Sequence, residues 1–359
     1  VNLTEQHLDK AVSRAVITAD QRAALLALAA ERPHDSRADE ETFRFISGFN
    51  DIFLAIGVGL FIAAGFLTVA LFDYGAAGLA LAAAGLWLVS EILTARLRRA
   101  IPSMLAAAGF VVFATWASAV LTLDWLAPAR TDTDGPWFYY AIGIAASLWS
   151  LVYFYRFRLP FATFLIGAAL TLLGFLAVFN LIFSVATLED ALDYAVVPSL
   201  YALVSGLILF AIAIGFDRAD PQRITRQADY GFWLHLLAAP LIVHAVMHMA
   251  TGLSAGGVEV GTSATSALTV VGVFAVLAVV ALVVNRRAIL VAALTYLAGA
   301  LWYLMSQSER TANNAELLSL LLISVLVIGL GVGWHTVRHV VLQVPPLGRM
   351  ENALFSKKV

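Results

Sequence analysis

ALTVVGVFAVLAVVALVVN, residues 267–285, carries no charged side chain, and Arg286 and Arg287 follow it at once. About 20 residues, rising 1.5 Å each, take a helix across the hydrocarbon core of a bilayer. The run does not alternate apolar with polar residues, so it does not read as the wall of a β-barrel. Lipid offers no partner to backbone N–H and C=O groups, and a helix satisfies them within itself. Working outward, nine further apolar stretches have the same character: 52–72, 76–94, 101–123, 137–155, 159–183, 196–216, 231–250, 288–305 and 317–335. The expected fold is an all-α integral membrane protein with about ten transmembrane helices.

Charge supplies a separate check on that count. With the N-terminus inside, the inner segments hold Lys10, Arg14, Arg22, Arg32, Arg37 and Arg44, then Arg96, Arg98 and Arg99, then Arg156 and Arg158. They continue with Arg218, Arg223 and Arg226, then Arg286 and Arg287, then Arg338, Arg349, Lys357 and Lys358. Of the 22 Lys and Arg residues, only Arg130 and Arg310 fall outside this set. Adding or losing one helix would scramble the segregation, so it supports both the number and an orientation with both termini cytoplasmic. The outer loops are acidic or neutral, with Asp124, Asp132, Asp134, Glu189, Asp190, Asp193 and Glu259. Trp125, Trp137, Tyr139 and Tyr140 mark an outer interface, and Tyr153 and Tyr155 an inner one.

Composition agrees. The chain has 359 residues, 61% of them hydrophobic and 13% charged, where a soluble domain has about 45–50% and about 25%. A net charge of −2 gives no basic face for nucleic acid. The absence of cysteine removes thiolate metal sites, iron–sulfur ligation and cysteine nucleophiles. No P-loop, GxSxG, HExxH or GxGxxG pattern stands in suitable context, so nothing marks a soluble-type catalytic centre.

Residues 1–48 read as polar and helical rather than as a signal peptide. Within them a small cytoplasmic hairpin is expected. Thr4 is placed to cap a first helix with Leu8, Ala11, Val12 and Ala15 on one face. Thr18 with Gln21 forms a capping-box pattern for a second, carrying Ala24, Leu25 and Leu28. A charged linker, ERPHDSRADEETF at 31–43, follows, and the chain enters the membrane after Asp51. The expected division is hairpin and linker at 1–45, transmembrane domain at 46–340 and cytoplasmic tail at 341–359. Helices this short need a neighbour, so the hairpin is a candidate docking element for a protein partner. The bilayer is the other partner.

The seventh stretch holds the candidate functional residues. Its His235, His244 and His248 are three of the seven histidines, and Pro240 removes a backbone donor, which should kink the helix. His244 and His248 stand i,i+4, on one face, a spacing compatible with a shared proton, a substrate contact or a metal. His235, nine residues before His244, points about half a turn away and should serve a different contact. The competing reading is structural, with neutral imidazoles bridging helices. His335 and His339 repeat the spacing at the inner end of the last stretch, where a solvated cationic helix end explains them. The two pairs belong near opposite faces, so one haem cannot use both, and no cofactor is expected; haem or metal at His244 and His248 remains the alternative. Glu91 reads as an ion pair with the Arg96–Arg99 cluster or as a coupling carboxylate, and Asn180 as interhelical glue. Gly329 and Gly333 give a GxxxG spacing that permits close helix approach. No internal repeat is evident.

LDKAVSRAVITADQRAALLALA in the hairpin and FWLHLLAAPLIVH at 232–244 together resemble a family of uncharacterised bacterial multi-pass membrane proteins, a domain of unknown function. The resemblance implies the fold, a bacterial inner membrane, and greater weight on His235, Pro240 and His244 than on His248. It implies no activity. Three functions stay open: a transporter-like protein for a small solute or ion, a non-catalytic accessory or assembly subunit of a larger membrane complex, and a histidine-dependent metal or haem protein. A water-filled cavity at mid-membrane reaching His244 would favour the first.

Overall fold

In a computed structural model the chain is described over residues 5–31, 49–72, 75–126, 137–185, 196–220, 225–251, 264–306 and 312–349. Two compact units are present, Val1–Phe43 and Arg44–Val359.

The first unit contains α1 (Glu5–Ser13) and α2 (Ala19–Glu31). The capping box forms as the spacing predicts: Thr18 N–H donates to Gln21 Oε1 at 2.9 Å, and Gln21 N–H donates to Thr18 Oγ1 at 3.1 Å. Arg22 pairs with Asp9 at 2.7 Å. Thr4 lies outside the described residues. Leu25 of the expected inner face is exposed, as is Val16.

Among the described residues, the second unit holds ten helices long and apolar enough to cross a membrane, so the chain is a multi-pass helical membrane protein. They are α3 (Phe49–Phe72), α4 (Gly75–Ser90), α5 (Ala100–Leu126), α6 (Trp137–Phe157) and α7 (Phe161–Val185), then α8 (Val196–Ala219), α9 (Arg226–Thr251), α10 (Ala264–Val284), α11 (Ala288–Ser306) and α12 (Ala315–Leu342). Each overlaps one of the ten apolar stretches over most of its length, and several run beyond it. α9 starts at Arg226 and α12 continues to Leu342, because a helix does not stop where its side chains turn polar.

Turns at the arginine-rich end are short. Residues 97–99, 158–160 and 285–287 connect α4–α5, α6–α7 and α10–α11, and each holds one left-handed residue, Arg98 (φ 54°), Arg158 (φ 51°) or Asn285 (φ 57°). Such a residue reverses the chain quickly after a helix. Before the first of these turns α4 widens into π-helical geometry over Glu91–Arg96, with Leu97 N–H reaching Ile92 O at 2.9 Å.

Buried side chains form one cluster around α3–α6, including Leu86, Phe110, Phe113 and Tyr153. Another joins α9–α12 through Val243, Met247, Phe274, Leu297 and Trp334. α9 is central, packing against α7, α8, α10 and α11. α3 and α12 present large apolar side chains outward along their length, as at Leu60, Leu67, Leu321 and Val332. Lipid, not water, suits that surface.

Two sequence expectations are corrected. Tyr153 is fully buried, not an interface residue: its hydroxyl donates to Ser90 Oγ at 3.0 Å, while Tyr155 is exposed as expected. A Cβ at Gly329 or Gly331 would meet nothing within 4 Å, and at Gly333 only Val337 of the same helix. The GxxxG spacing therefore makes no close contact within the described chain. Asp51 is buried in the first turn of α3, where Arg99 reaches its Oδ1 at 3.1 Å.

Candidate functional site

α9 carries its three histidines at different levels, and each meets a different helix. His235 is fully buried, and its Nε2 stands 2.9 Å from Asp217 Oδ2 of α8. A carboxylate only accepts, so Nε2 carries the hydrogen. Arg286, in the α10–α11 turn, donates through Nε to the same oxygen at 3.3 Å and through Nη2 to Oδ1. Asp217 is 3% exposed and Arg286 2%. One carboxylate thus ties together α8, α9 and the α10–α11 turn.

Local sequence makes this cluster possible. A Cβ at Gly231, one turn before His235, would lie 2.9 Å from Asp217 Oδ1 and 3.2 Å from the Ala213 carbonyl. Glycine lets α9 approach α8 at the level of the carboxylate. Phe210 sets its ring edge-on to His235, with centroids 5.0 Å apart. Asn285, the left-handed residue before Arg286, accepts a hydrogen bond from Trp334 Nε1 of α12 at 2.8 Å, and Arg287 lies over the same indole at 5.1 Å. Arg338 adds a bond from its Nε to the Leu282 carbonyl at 3.0 Å. At the start of α9, Asp220 Oδ2 accepts from both N–H and hydroxyl of Thr225, each at 2.7 Å.

Nine residues on, about 14 Å along the axis, His244 faces another environment. It is exposed, and Tyr296 of α11 pairs with its Nδ1 through a short hydrogen bond. A pocket of about 380 Å³ is lined by Ala202 of α8, Pro240, Leu241 and His244 of α9, and Ala292 and Tyr296 of α11. α9 remains helical through Pro240. His248 is half-buried one turn further, its Nδ1 2.9 Å from Ser199 Oγ of α8, and its ring centroid is 6.2 Å from that of His244.

The histidines at i,i+4 therefore share a face while taking separate partners, and His235 faces elsewhere. Among the described residues, no group of three or more His, Asp or Glu side chains is placed to hold a metal ion. His335 and His339 are exposed near the arginine-rich end of α12, with Gln343 Nε2 3.3 Å from His339 Nδ1. Glu91 forms an ion pair, but with Arg156 of α6 at 2.5 Å rather than with the Arg96–Arg99 cluster. Both side chains are partly exposed, so the pair adds little stability. Asn180 lies half-buried on α7.

Sequence reasoning missed Asp217, Arg286, Tyr296 and Ser199 as partners. Tyr296 and Ser199 did leave a signal, a hydroxyl inside an otherwise apolar stretch. Asp217 stands one residue past the apolar run 196–216, and Arg286 falls among the inner-segment cations. No protein-family model, no curated protein and no solved structure matches the chain.

Proposed function

We propose that the chain is a transporter-like protein of a bacterial inner membrane, and that the pocket at His244 and Tyr296 receives its substrate, a small solute. The observation that carries the reading is a pocket within the membrane-spanning length that reaches His244. Its size falls in the usual range for small-molecule sites, about 300–1,000 Å³. Pro240 on its wall withholds the N–H that the Leu236 carbonyl would take in an unbroken helix.

Reconstituted vesicles test this. Loaded with isotope-labelled cell extract, polar and lipid fractions together, they should pass a defined component to the medium or to acceptor vesicles faster than protein-free vesicles. His244→Gln keeps a hydrogen-bonding group but cannot replace the imidazole, and should slow that passage about tenfold, the worth of one well-placed polar contact. Equal passage from wild-type and protein-free vesicles would end the transport reading.

Both termini lie in the cytoplasm in this proposal. The chain has no native cysteine, so introduced ones report alone. Cysteines at Asp132, Asp190 and Glu259 should react with an impermeant reagent in intact cells, and those at Arg98, Arg223 and Arg349 should not. Reaction at Arg223 would invert the assignment from that loop onward.

A second reading is an accessory subunit that docks through the hairpin. The exposed Val16 and Leu25 favour it. Removal of residues 1–40 should then release a co-purifying protein and leave the membrane unit folded.

A further inference from the structure

The geometry points to a specific class of ligand for the groove at His244: a neutral, membrane-dissolved molecule whose hydroxyl headgroup hydrogen-bonds to the His244 imidazole, entering sideways from the bilayer. This rests on the transport reading and narrows its substrate.

α9 forms the floor of the groove. α8 and α11 pack against it on either side, and do not form an extended interface with each other among the described residues. Ala202 and Ala292 face the pocket from the two walls, and residues this small leave the slot between the helices open. A gap between two membrane-spanning helices opens to lipid along its length. His244 is accordingly exposed although it sits within the span.

The lining decides the charge of the occupant. No Asp, Glu, Lys or Arg lines the pocket, so an ionised group would enter without a counter-charge, at heavy cost in a medium of low dielectric constant. The occupant is therefore neutral. The polar groups decide its headgroup. His244 Nδ1 is engaged by Tyr296, which leaves Nε2 as the ring's second hydrogen-bonding atom. A hydroxyl both donates and accepts, so it pairs with Nε2 whichever ring nitrogen carries the hydrogen. Four of the six lining residues (Ala202, Pro240, Leu241 and Ala292) are apolar and suit the first carbons of an alkyl chain, whose remainder stays in lipid.

Photolabelling separates this inference from the transport reading, because it reads occupancy without flux. The purified full chain in nanodiscs is irradiated with a diazirine-bearing hexadecanol, and adducts are mapped by mass spectrometry. Adducts should concentrate on residues 240–244 and 292–296, and excess unlabelled hexadecanol should remove them. His244→Phe should reduce them about fivefold, the loss of one net hydrogen bond, while labelling of the lipid-facing side of α12 stays constant. Equal labelling of α12 and the groove would mean annular lipid alone and would overturn the inference. So would equal labelling by a diazirine-bearing hexadecanoic acid above its ionisation range, or groove labelling by a water-soluble diazirine, which would leave transport of a polar solute standing. An occupant that is a second copy of the chain is the remaining outcome against it. Ala202→Cys, the sole cysteine, would then form a disulfide dimer that blocks the hexadecanol adducts.

Discussion

Asp217→Ala should be among the most destabilising single changes in the membrane unit, lowering its unfolding free energy by about 3–5 kcal/mol, the range for removing one member of a buried ion pair. The variant leaves the Arg286 guanidinium in a site where the native residue is 2% exposed, and it deprives the His235 N–H of its acceptor. Arg286→Ala should act similarly, because it strands the carboxylate instead. The pair Asp217→Leu with Arg286→Met removes both charges and keeps the volume, and should recover most of the loss. Unfolding of the reconstituted protein in denaturing detergent measures all three. An Asp217→Ala variant as stable as wild type would mean that Arg286 escapes to the interface, and the cluster would not be the closed tie between α8, α9 and the α10–α11 turn described above.

Trp334→Ala should cost about 3–5 kcal/mol, as large aromatic truncations do in packed interiors. α12 exposes most of its length, and Trp334 is its principal buried side chain, set into the α9–α12 cluster. The change also removes the donor to Asn285 Oδ1 and the ring beneath Arg287. Between helices in lipid, close packing and hydrogen bonds carry the association, so losing both at one position should free the arginine-rich half of α12. A cysteine at His335 should then label faster, and α4–α5 should stay unchanged. Trp334→Phe keeps most of the packing and loses the hydrogen bond, so its cost should be nearer 1 kcal/mol. If Trp334→Ala leaves stability unaltered, α12 is held by contacts other than these.

The ten helices and the hairpin cap were legible because both are local properties. Residues 267–285 need no partner to reveal a span, since chain length and hydropathy meet a fixed hydrocarbon thickness. Thr18 and Gln21 satisfy each other three residues apart. The segregation of Lys and Arg was equally readable, because it concerns which side of the membrane a charge stays on. It could not say what each charge touches.

Spacing along α9 separated His235 from His244, since 3.6 residues per turn fix their relative direction. Only the tertiary structure decided that His235 meets Asp217, 18 residues back, and that Arg286, 69 positions beyond Asp217, completes the cluster. A span read from hydropathy ends where charge begins, so Asp217 and Arg286 fall outside the apolar runs, whereas helix packing draws them inside. Packing likewise buried Tyr153, gave Glu91 to Arg156, left the Gly329 and Gly333 spacing without a partner helix among the described residues and put Gly231 at a close crossing. The sequence by itself determined the spans, the arginine-rich side and the facing of residues within one helix, all set by period and transfer cost. Which faces of different helices meet depends on rotation and crossing, and those are set by side chains distant in the chain and summed over the whole bundle.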